Sequence, residues 1–394
     1  MLFLMLLALV IWLSLILFWG RFWLCDQRLP IPKPQGNAAP FVCVILPARN
    51  EAAVLPQTLS TLLEQDYGGE LAIVVVDDQS TDGTGELCQT LGQKASRSLT
   101  ILLGEPLPVG WSGKIWAMEQ GVRWLSSQQR QPDYYLFTDA DIAHAPDNIQ
   151  NLVAKAETEN IGLVSLMVLL HCQSGWERLL IPAFVFFFQL LYPFPWVNNP
   201  RHPWAGAAGG CILLRRQALE SIGGLASLRQ ALIDDCTLAQ KVKAAHYSLW
   251  LGLTDKTLSL RAYDQLAGIW EMVARTAYSQ LNYNPLLLLG TVVGMILVYA
   301  LPPLGLLLGL MGGQPLVTLV GGLSWGLMAI AYGPTLKLYQ QPLWWGLTLP
   351  WAAVLYTLMT LDSARRQWQG RGGAWKGRVY PSNTEYGNDS PPMV

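Results

Sequence analysis

The chain has 394 residues, of which 52% are hydrophobic and only 13% are charged, and its formal net charge is −1. This balance excludes the basic surplus typical of a nucleic-acid-binding protein, so no nucleic-acid partner is predicted. So apolar a composition is unusual for a soluble enzyme. The apolar residues concentrate near the two ends, which predicts membrane segments around a soluble middle.

Residues 2–20 form an uncharged apolar run, long enough to cross a hydrocarbon core of about 30 Å as a helix. A cleaved signal peptide is disfavoured, because no basic stretch precedes the run and no small-residue cleavage site follows it. Arg21, Arg28 and Lys33 come next, and this positive charge places the following domain in the cytoplasm. We therefore predict a transmembrane anchor over residues 1–25.

A second apolar region, residues 285–362, is predicted to hold about three further membrane segments. They lie at 285–310, 315–334 and 342–361, and a polar tail over 363–394 follows, whose last dozen residues are expected to be disordered. Three spans would put this tail outside, whereas its basic residues argue for the inside. Either one segment is re-entrant, with a break at Pro302–Pro303 in the first, or the charge rule fails here.

The middle of the chain, residues 26–284, alternates strand-like and helix-like segments. The runs FVCVILPARN, LAIVVVDDQ, SLTILLG and YYLFTD are predicted strands, and each is followed by apolar residues at helical spacing. This alternation predicts an α/β domain with a mostly parallel sheet covered on both faces. The six cysteines are scattered without a close pair, so reduced thiols are expected.

Polar residues gather where the predicted strands end, which is where ligands bind in such sheets. The first strand ends in Arg49, Asn50 and Glu51, the second in Asp77 and Asp78, and a later one in Asp139 and Asp141. A G-x-G-x-x-G turn and a Walker loop are both absent from the sequence. A dinucleotide-binding fold and a P-loop ATPase are therefore disfavoured.

Asp139 and Asp141 are two residues apart in an extended stretch, so their side chains point the same way. Two carboxylates with open positions beside them suit a divalent cation, Mg²⁺ or Mn²⁺, that also binds the phosphates of a nucleotide. The alternative is an ordinary solvated turn after a strand.

Five segments in order resemble the motifs of family 2 glycosyltransferases with the GT-A fold: ILPARNEAAVLPQTLSTLLEQDY, IVVVDDQSTDGT, GWSGKIWAMEQG, FTDAD and IDDCTLAQKV. The resemblance covers about residues 41–281. The two apolar ends and the segment RAYDQLAGIWEMVARTAYSQL most resemble hopanoid-associated (hopene-associated) glycosyltransferases, and the arrangement is similar to ceramide glucosyltransferases. The resemblance implies a nucleotide-sugar donor, with UDP as the expected nucleotide, and a lipid acceptor.

The resemblance also implies roles for individual residues. Asp77 and Asp78 would hold the base and ribose of the donor, in a pocket that Pro47, Arg49 and Glu51 line. For Asp78 a helix cap is the structural alternative. Lys114, in the glycine-bracketed turn GWSGK, would supply positive charge to the diphosphate; its alternative is an ordinary surface lysine.

The motif at Asp234 and Asp235 departs from the usual Glu-Asp of the family, and the role of general base falls on Asp235. Both residues also suit a helix N-terminus for dipole reasons alone. Arg275 matches the arginine of the [QR]-x-x-R-W motif, but Met272 and Thr276 do not match the motif's other positions. Arg275 is still expected to contact the diphosphate, and the departure favours a single transfer over polymer synthesis.

Residues 179–197, LLIPAFVFFFQLLYPFPWV, are too apolar for a loop. A membrane crossing here would separate the Asp139 and Asp235 motifs, so the segment is predicted to lie in the membrane interface beside the acceptor. A buried core helix is the alternative. His202, Trp204 and the glycine-rich run from Ala205 are candidate acceptor-side residues.

The sequence thus predicts a multi-pass enzyme of the bacterial inner membrane, with a cytoplasmic catalytic domain. It would transfer one sugar, with inversion, to a lipid hydroxyl such as that of a hopanoid. The alternatives are transfer to polyprenyl phosphate, to a ceramide-like lipid or to diacylglycerol. Two alternatives from other classes are a membrane-bound nucleotidyltransferase and a non-catalytic membrane scaffold.

Overall fold

A computed structural model describes residues 1–29, 39–94, 97–229, 231, 233–371, 374–375 and 378–379. The described strands are β1 (Val42–Ala48), β2 (Leu71–Asp77), β3 (Ser98–Leu103), β4 (Tyr134–Thr138), β5 (Ile142–Ala143), β6 (Leu163–Leu169), β7 (Cys211–Arg215), β8 (Leu249–Ser259), β9 (Ala374–Trp375) and β10 (Arg378–Val379). Most of the 29–40 linker and the last dozen residues, predicted to be disordered, lie outside these ranges.

The described α-helices follow the same order along the chain. They are α1 (Leu2–Phe18), α2 (Leu55–Leu63), α3 (Thr84–Lys94), α4 (Gly113–Ser126), α5 (Asn148–Thr158), α6 (Gly175–Leu191), α7 (Phe194–Val197), α8 (Arg216–Ser221), α9 (Asp234–Ala244), α10 (Leu266–Ala274), α11 (Pro285–Met295), α12 (Leu301–Met311), α13 (Pro315–Leu338) and α14 (Leu349–Trp368).

Within the described residues, β1 to β8 form a single mixed sheet in the order β3-β2-β1-β4-β7-β6-β8-β5. The first four strands in this order are parallel, as the alternation of strands and helices predicts. β7 runs antiparallel to both β4 and β6, whereas β6 and β8 are parallel. The mostly parallel α/β sheet is therefore confirmed, with β7 as an antiparallel insertion that the sequence pattern did not reveal.

Local hydrogen bonds hold the stretch before α3 in a loop, and the helix begins at Thr84. The Asn50 side chain accepts a hydrogen bond from the Thr81 N–H at 2.8 Å, which keeps this stretch in a loop. The Asp82 side chain then accepts from the Thr84 N–H at 3.1 Å. An aspartate side chain that accepts the N–H two residues further on forms an Asx turn, and this turn immediately precedes the helix.

By length and composition, the described residues include three helical stretches able to cross a membrane: Gly175–Val197, Pro285–Met311 and Pro315–Leu338. The predicted anchor forms the shorter apolar helix Leu2–Phe18. The third C-terminal segment forms a 3₁₀-helix, Leu343–Thr348, followed by α14, whose last turns carry Arg365 and Arg366. The helix does not break at Pro302–Pro303, which was one of the two alternatives for this region; it runs on through a π-helical turn over Ile296–Ala300. Such a turn relieves the backbone bonds that proline cannot make.

The apolar segment predicted at 179–197 forms most of α6, which packs inside the protein. Leu180, Ile181 and Phe186 are fully buried. The Phe186 ring lies 5.3 Å from the ring of Phe22, beside the anchor, and 5.3 Å from that of Tyr332 in α13. This burial corresponds to the buried-helix alternative, and a position in the membrane interface stays a prediction.

Glu177 lies in the first turn of α6 and is a fully buried acidic residue. Its carboxylate accepts hydrogen bonds from the backbone N–H groups of Tyr263 at 2.7 Å, Ser174 at 2.8 Å and Gln173 at 2.9 Å. The Ser174 side chain accepts in return from the Glu177 N–H, which completes a capping box. This residue therefore ties the start of α6 to the loop after β8.

Replacing Glu177 with alanine is expected to lower the free energy of unfolding by about 3 kcal/mol, because several buried N–H groups lose their acceptor together. Glu64→Ala, at an exposed position of the chain, is the control and should change stability by less than about 0.5 kcal/mol. Thermal unfolding in detergent, followed by tryptophan fluorescence, measures both. Equal melting temperatures for the two variants would contradict the assigned role.

Candidate active site

The carboxyl ends of β1, β2 and β4 meet at one edge of the sheet. Ala48 at the end of β1 pairs with Asp77 at the end of β2, and Ile45 pairs with Phe137 of β4. Asp139 follows β4 directly, so the residues after all three strands face one region. The parallel register thus brings together the polar residues that the sequence places at strand ends.

Lys114 is the centre of the first charged group. Its Nζ lies 2.6 Å from Asp139 Oδ1 and 3.8 Å from Asp234 Oδ2, and the side chain is only 20% exposed. Burial disfavours the Lys114 ammonium, but Asp139 and Asp234 outweigh burial and raise its pKa above the ordinary value. Lys114 therefore stays charged and joins the Asp139 motif to the Asp234 motif.

Asp235 lies in the same group, in the first turn of α9. Its Oδ2 accepts a hydrogen bond from the Gly209 N–H at 2.8 Å, and its Oδ1 accepts from the Cys236 N–H at 2.7 Å. A Cβ on Gly209 would lie 3.2 Å from Asp235 Oδ2 and 3.3 Å from Lys114 Nζ, so these two charged atoms flank the glycine. A side chain at position 209 would crowd both.

Burial, followed by the neighbouring Asp234 carboxylate, raises the pKa of Asp235 to about 6, against the opposing effect of Lys114. Such a carboxylate is mostly ionised at neutral pH, yet it is more basic than an ordinary aspartate. That combination suits a general base.

Asp141 belongs to a second charged group, around Arg261. The Arg261 Nε donates to Asp141 Oδ2 at 2.9 Å, and its Nη2 donates to Glu51 Oε1 at 2.8 Å. The Ser259 hydroxyl also donates to Asp141 Oδ2, at 3.3 Å. The two groups are adjacent, because the charge of Asp141 acts on Asp139 and raises the pKa of Asp139, together with the larger effect of burial.

Arg261 is a residue that the sequence analysis missed. It stands two residues after the end of β8 and is the first residue of the segment RAYDQLAGIWEMVARTAYSQL, and its position at a strand end was the signal that would have found it. β8 lies far from β1 in the sheet order, so only the folded chain brings Arg261 to Glu51.

The predicted nucleotide-binding residues lie at the ends of β1 and β2. Pro47 is within β1, and Arg49 Nη1 lies 3.6 Å from Oδ2 of the fully buried Asp78. Asp77 is also buried, and its Oδ1 accepts a hydrogen bond from the Ser80 N–H at 3.0 Å. In this structure both aspartates take part in shaping the loop after β2.

Arg275 ends α10 and is exposed. The Tyr263 phenol is within electrostatic reach of this arginine and of residues in both charged groups. Burial raises the Tyr263 pKa, and the charges of Arg261, Asp141, Arg275 and Asp139 also act on it.

The candidate acceptor-side residues form an aromatic group next to the anchor. The His202 ring stacks on the Trp196 ring at 4.7 Å, and the Trp204 ring lies 5.6 Å from that of Trp196. Trp19, just after α1, is 5.0 Å from Trp196. The stacking gives His202 a packing role.

Asp139 and Asp141 are the pair that the sequence predicts as ligands of a divalent cation. Throughout the described ranges, no group of three or more His, Cys, Asp or Glu side chains is arranged to hold a metal ion. Further carboxylates lie beside this pair, since Asp234 and Asp235 adjoin Lys114, and Glu51 is bound to Arg261. Mg²⁺ typically takes one or two protein carboxylates and completes its shell with substrate phosphates and water. The residues present fit such a site.

Comparison with known proteins gives three results. Residues 43–223 match the sequence model of the family described as "Glycosyl transferase family 2". A 4,4'-diaponeurosporenoate glycosyltransferase of Staphylococcus haemolyticus is 33% identical over 110 residues, which are 28% of this chain and 26% of that protein. An undecaprenyl-phosphate 4-deoxy-4-formamido-L-arabinose transferase of Shewanella sediminis is 33% identical over 129 residues, which are 32% and 36% of the two chains. The matches thus span about a third or less of these relatives' length.

Among solved structures, a mannosyltransferase from Pyrobaculum calidifontis, in complex with GDP-Man and Mn²⁺, is similar over 92% of this chain and 99% of its own. The TM-score is 0.52 and the identity is 18%. At this identity the likeness concerns the fold, and it confirms the predicted fold class.

Proposed function

We propose, from the match of residues 43–223 to the family 2 glycosyl transferase model, that this protein is a membrane-bound, inverting enzyme that transfers one sugar from a nucleotide donor to a lipid hydroxyl. Lys114, Asp234 and Asp235 line one pocket, and Asp139 lies 2.6 Å from Lys114 Nζ; this convergence carries the proposal. We propose UDP as the donor nucleotide and a hopanoid-type alcohol as the acceptor, which rest on the motif resemblance described above.

In this mechanism Asp235 accepts the proton of the acceptor hydroxyl while the acceptor oxygen attacks the anomeric carbon. The bond to the diphosphate breaks on the opposite face, which inverts the configuration. Lys114 provides positive charge to the departing diphosphate, and the Gly209 and Cys236 N–H groups hold Asp235 in place. Asp139 and Asp141 would hold Mg²⁺ or Mn²⁺, which when bound neutralises charge on the leaving nucleotide.

The functional test uses the purified full chain in lipid nanodiscs with a panel of radiolabelled nucleotide sugars and a bacterial lipid extract. Chromatography of the lipid phase should show one labelled product with one donor, and Asp235→Asn protein should form it about a thousandfold more slowly. Consumption of nucleoside triphosphates with release of pyrophosphate, and no labelled lipid with any donor, would instead indicate the nucleotidyltransferase. Identical lipid labelling by wild type and Asp235→Asn would reject the proposed site.

The pH profile is a further expectation. If Asp235 is the base, it must be ionised to act, so kcat/KM should be constant above pH 7. Since its pKa is raised to about 6, kcat/KM should fall as the pH drops through about 6, because that parameter reports the free enzyme. Steady-state assays from pH 5 to 9 measure this profile. A midpoint near 4, where an ordinary aspartate titrates, would contradict the role.

We propose that the catalytic domain faces the cytoplasm of a multi-pass inner-membrane protein, because Arg21, Arg28 and Lys33 follow the anchor. A cysteine introduced at the exposed Glu64 position reports the side. It should react with a membrane-impermeant maleimide in inverted vesicles but not in intact spheroplasts. Labelling in spheroplasts would place the domain outside.

A further inference from the structure

Arg261 binds two carboxylates that belong to different parts of the site. Its guanidinium joins Asp141 at 2.9 Å to Glu51 at 2.8 Å, and the side chain is 36% exposed. The planar guanidinium is pre-organised for two such contacts, and it stays charged at any physiological pH. A full positive charge therefore sits on the second carboxylate of the Asp139–Asp141 pair.

Lys114 does the same for the first carboxylate, at 2.6 Å from Asp139 Oδ1. Each member of the pair thus has a cation of the chain's own. A divalent ion that approaches alone has to displace these contacts and to lie within a few ångströms of two positive charges. At partly exposed sites, unit charges at such distances interact by several kcal/mol.

The small number of protein ligands also indicates that a divalent ion alone binds weakly. The described residues offer Asp139 and Asp141 without a third metal-binding side chain grouped beside them. A nucleotide diphosphate supplies what the site lacks. Its oxygens are additional metal ligands, and its negative charge is a new partner for Lys114 and Arg261, which frees the two carboxylates.

We infer that Arg261 controls metal loading, so that the divalent cation enters together with the donor diphosphate and binds only weakly alone. This inference rests on the proposed function and makes Arg261 a positioning residue. Its charge is the working feature, because the guanidinium competes with the ion for Asp141. Neutralising Arg261 should therefore strengthen the binding of the ion alone.

Equilibrium dialysis of the full chain in detergent tests this with MnCl₂ alone and with MnCl₂ plus UDP. For wild type, protein-bound Mn²⁺ should require at least about tenfold less metal when UDP is present. Arg261→Gln should tighten the binding of Mn²⁺ alone about tenfold or more, as expected when a nearby charge is removed. Arg261→Lys, which keeps the charge, should bind Mn²⁺ alone as weakly as wild type.

Two further variants distinguish tighter binding of Mn²⁺ caused by the lost charge from a change caused by disturbed folding. Lys114→Gln removes the other cation and should also tighten the binding of Mn²⁺ alone, which keeps the test valid if Arg261→Gln fails to fold. Arg215→Gln removes a different arginine–carboxylate pair, 2.9 Å from Glu157, and should behave as wild type. Circular dichroism reports whether each variant is folded.

The inference is overturned if wild type binds Mn²⁺ equally well with and without UDP while still transferring sugar, and the proposed function then stands. It is also overturned if Arg261→Gln and Lys114→Gln both fold and leave the binding of Mn²⁺ alone unchanged. Absence of Mn²⁺ binding under every condition, with UDP or GDP, would overturn the metal part of the proposed function as well.

Discussion

Asp235→Asn is expected to lower kcat about a thousandfold, the size of effect typical of a lost general base. Asparagine keeps the shape and accepts a hydrogen bond through its amide oxygen, so the contact to Gly209 or Cys236 can persist. It has no basic oxygen to take the acceptor proton. The KM for the donor should change little, because Asp235 lies on the acceptor side of the proposed reaction.

The measurement is steady-state transfer to lipid, together with the affinity for UDP. Asp255→Asn serves as a control, since Asp255 is an exposed aspartate, 62% accessible, that pairs with Arg28. It should retain full activity. If Asp235→Asn kept more than a tenth of the wild-type kcat with wild-type donor affinity, another group would have to be the base.

Asp139→Asn is expected to lower activity about a hundredfold or more, because metal-ion stabilisation of a leaving group contributes several kcal/mol. The substitution removes two interactions of Asp139 at once. The Asp139 oxygen is a proposed metal ligand, and it is also the nearest partner of Lys114, at 2.6 Å. Unlike Asp235→Asn, this variant should also need more Mg²⁺ or Mn²⁺ for half-maximal activity.

Metal titrations of activity distinguish the two variants. Asp147→Asn is the matched control, because Asp147 pairs with Lys256 at 3.1 Å on the surface and should leave the metal dependence unchanged. Wild-type dependence on metal in Asp139→Asn protein would remove Asp139 from the metal site.

The strand-end clustering was predictable because it follows from a general property of parallel sheets. Once β1, β2 and β4 are parallel, the residues at their carboxyl ends share one edge of the sheet. The positions of Asp77, Asp139 and Glu51 on this edge could therefore be predicted from the sequence alone. The helix opened by Asp234 was equally predictable from its amphipathic continuation. The break at Pro302–Pro303 remained an alternative because local sequence does not show that a π-helical turn can absorb two prolines.

Other features depend on contacts between distant parts of the chain. The contact between Arg261 and Glu51 joins residues 210 positions apart. Periodicity likewise describes α6 as apolar, but it cannot tell whether lipid or protein surrounds the helix. The antiparallel β7 comes after the apolar helices α6 and α7 and not after an amphipathic crossover helix. The alternation of strands and helices therefore did not predict this strand.

The packing of Phe186 between Phe22 and Tyr332 has a consequence for the proposed lipid acceptor. The sheet, α6 and the apolar helices share one continuous hydrophobic core, so side-chain packing fixes the candidate site relative to these helices. If the helices lie in a membrane as proposed, the site stays at a constant height above the lipid. A lipid acceptor would then have to present its reactive oxygen at that height, so the distance between this oxygen and the apolar body of the lipid would select among acceptors.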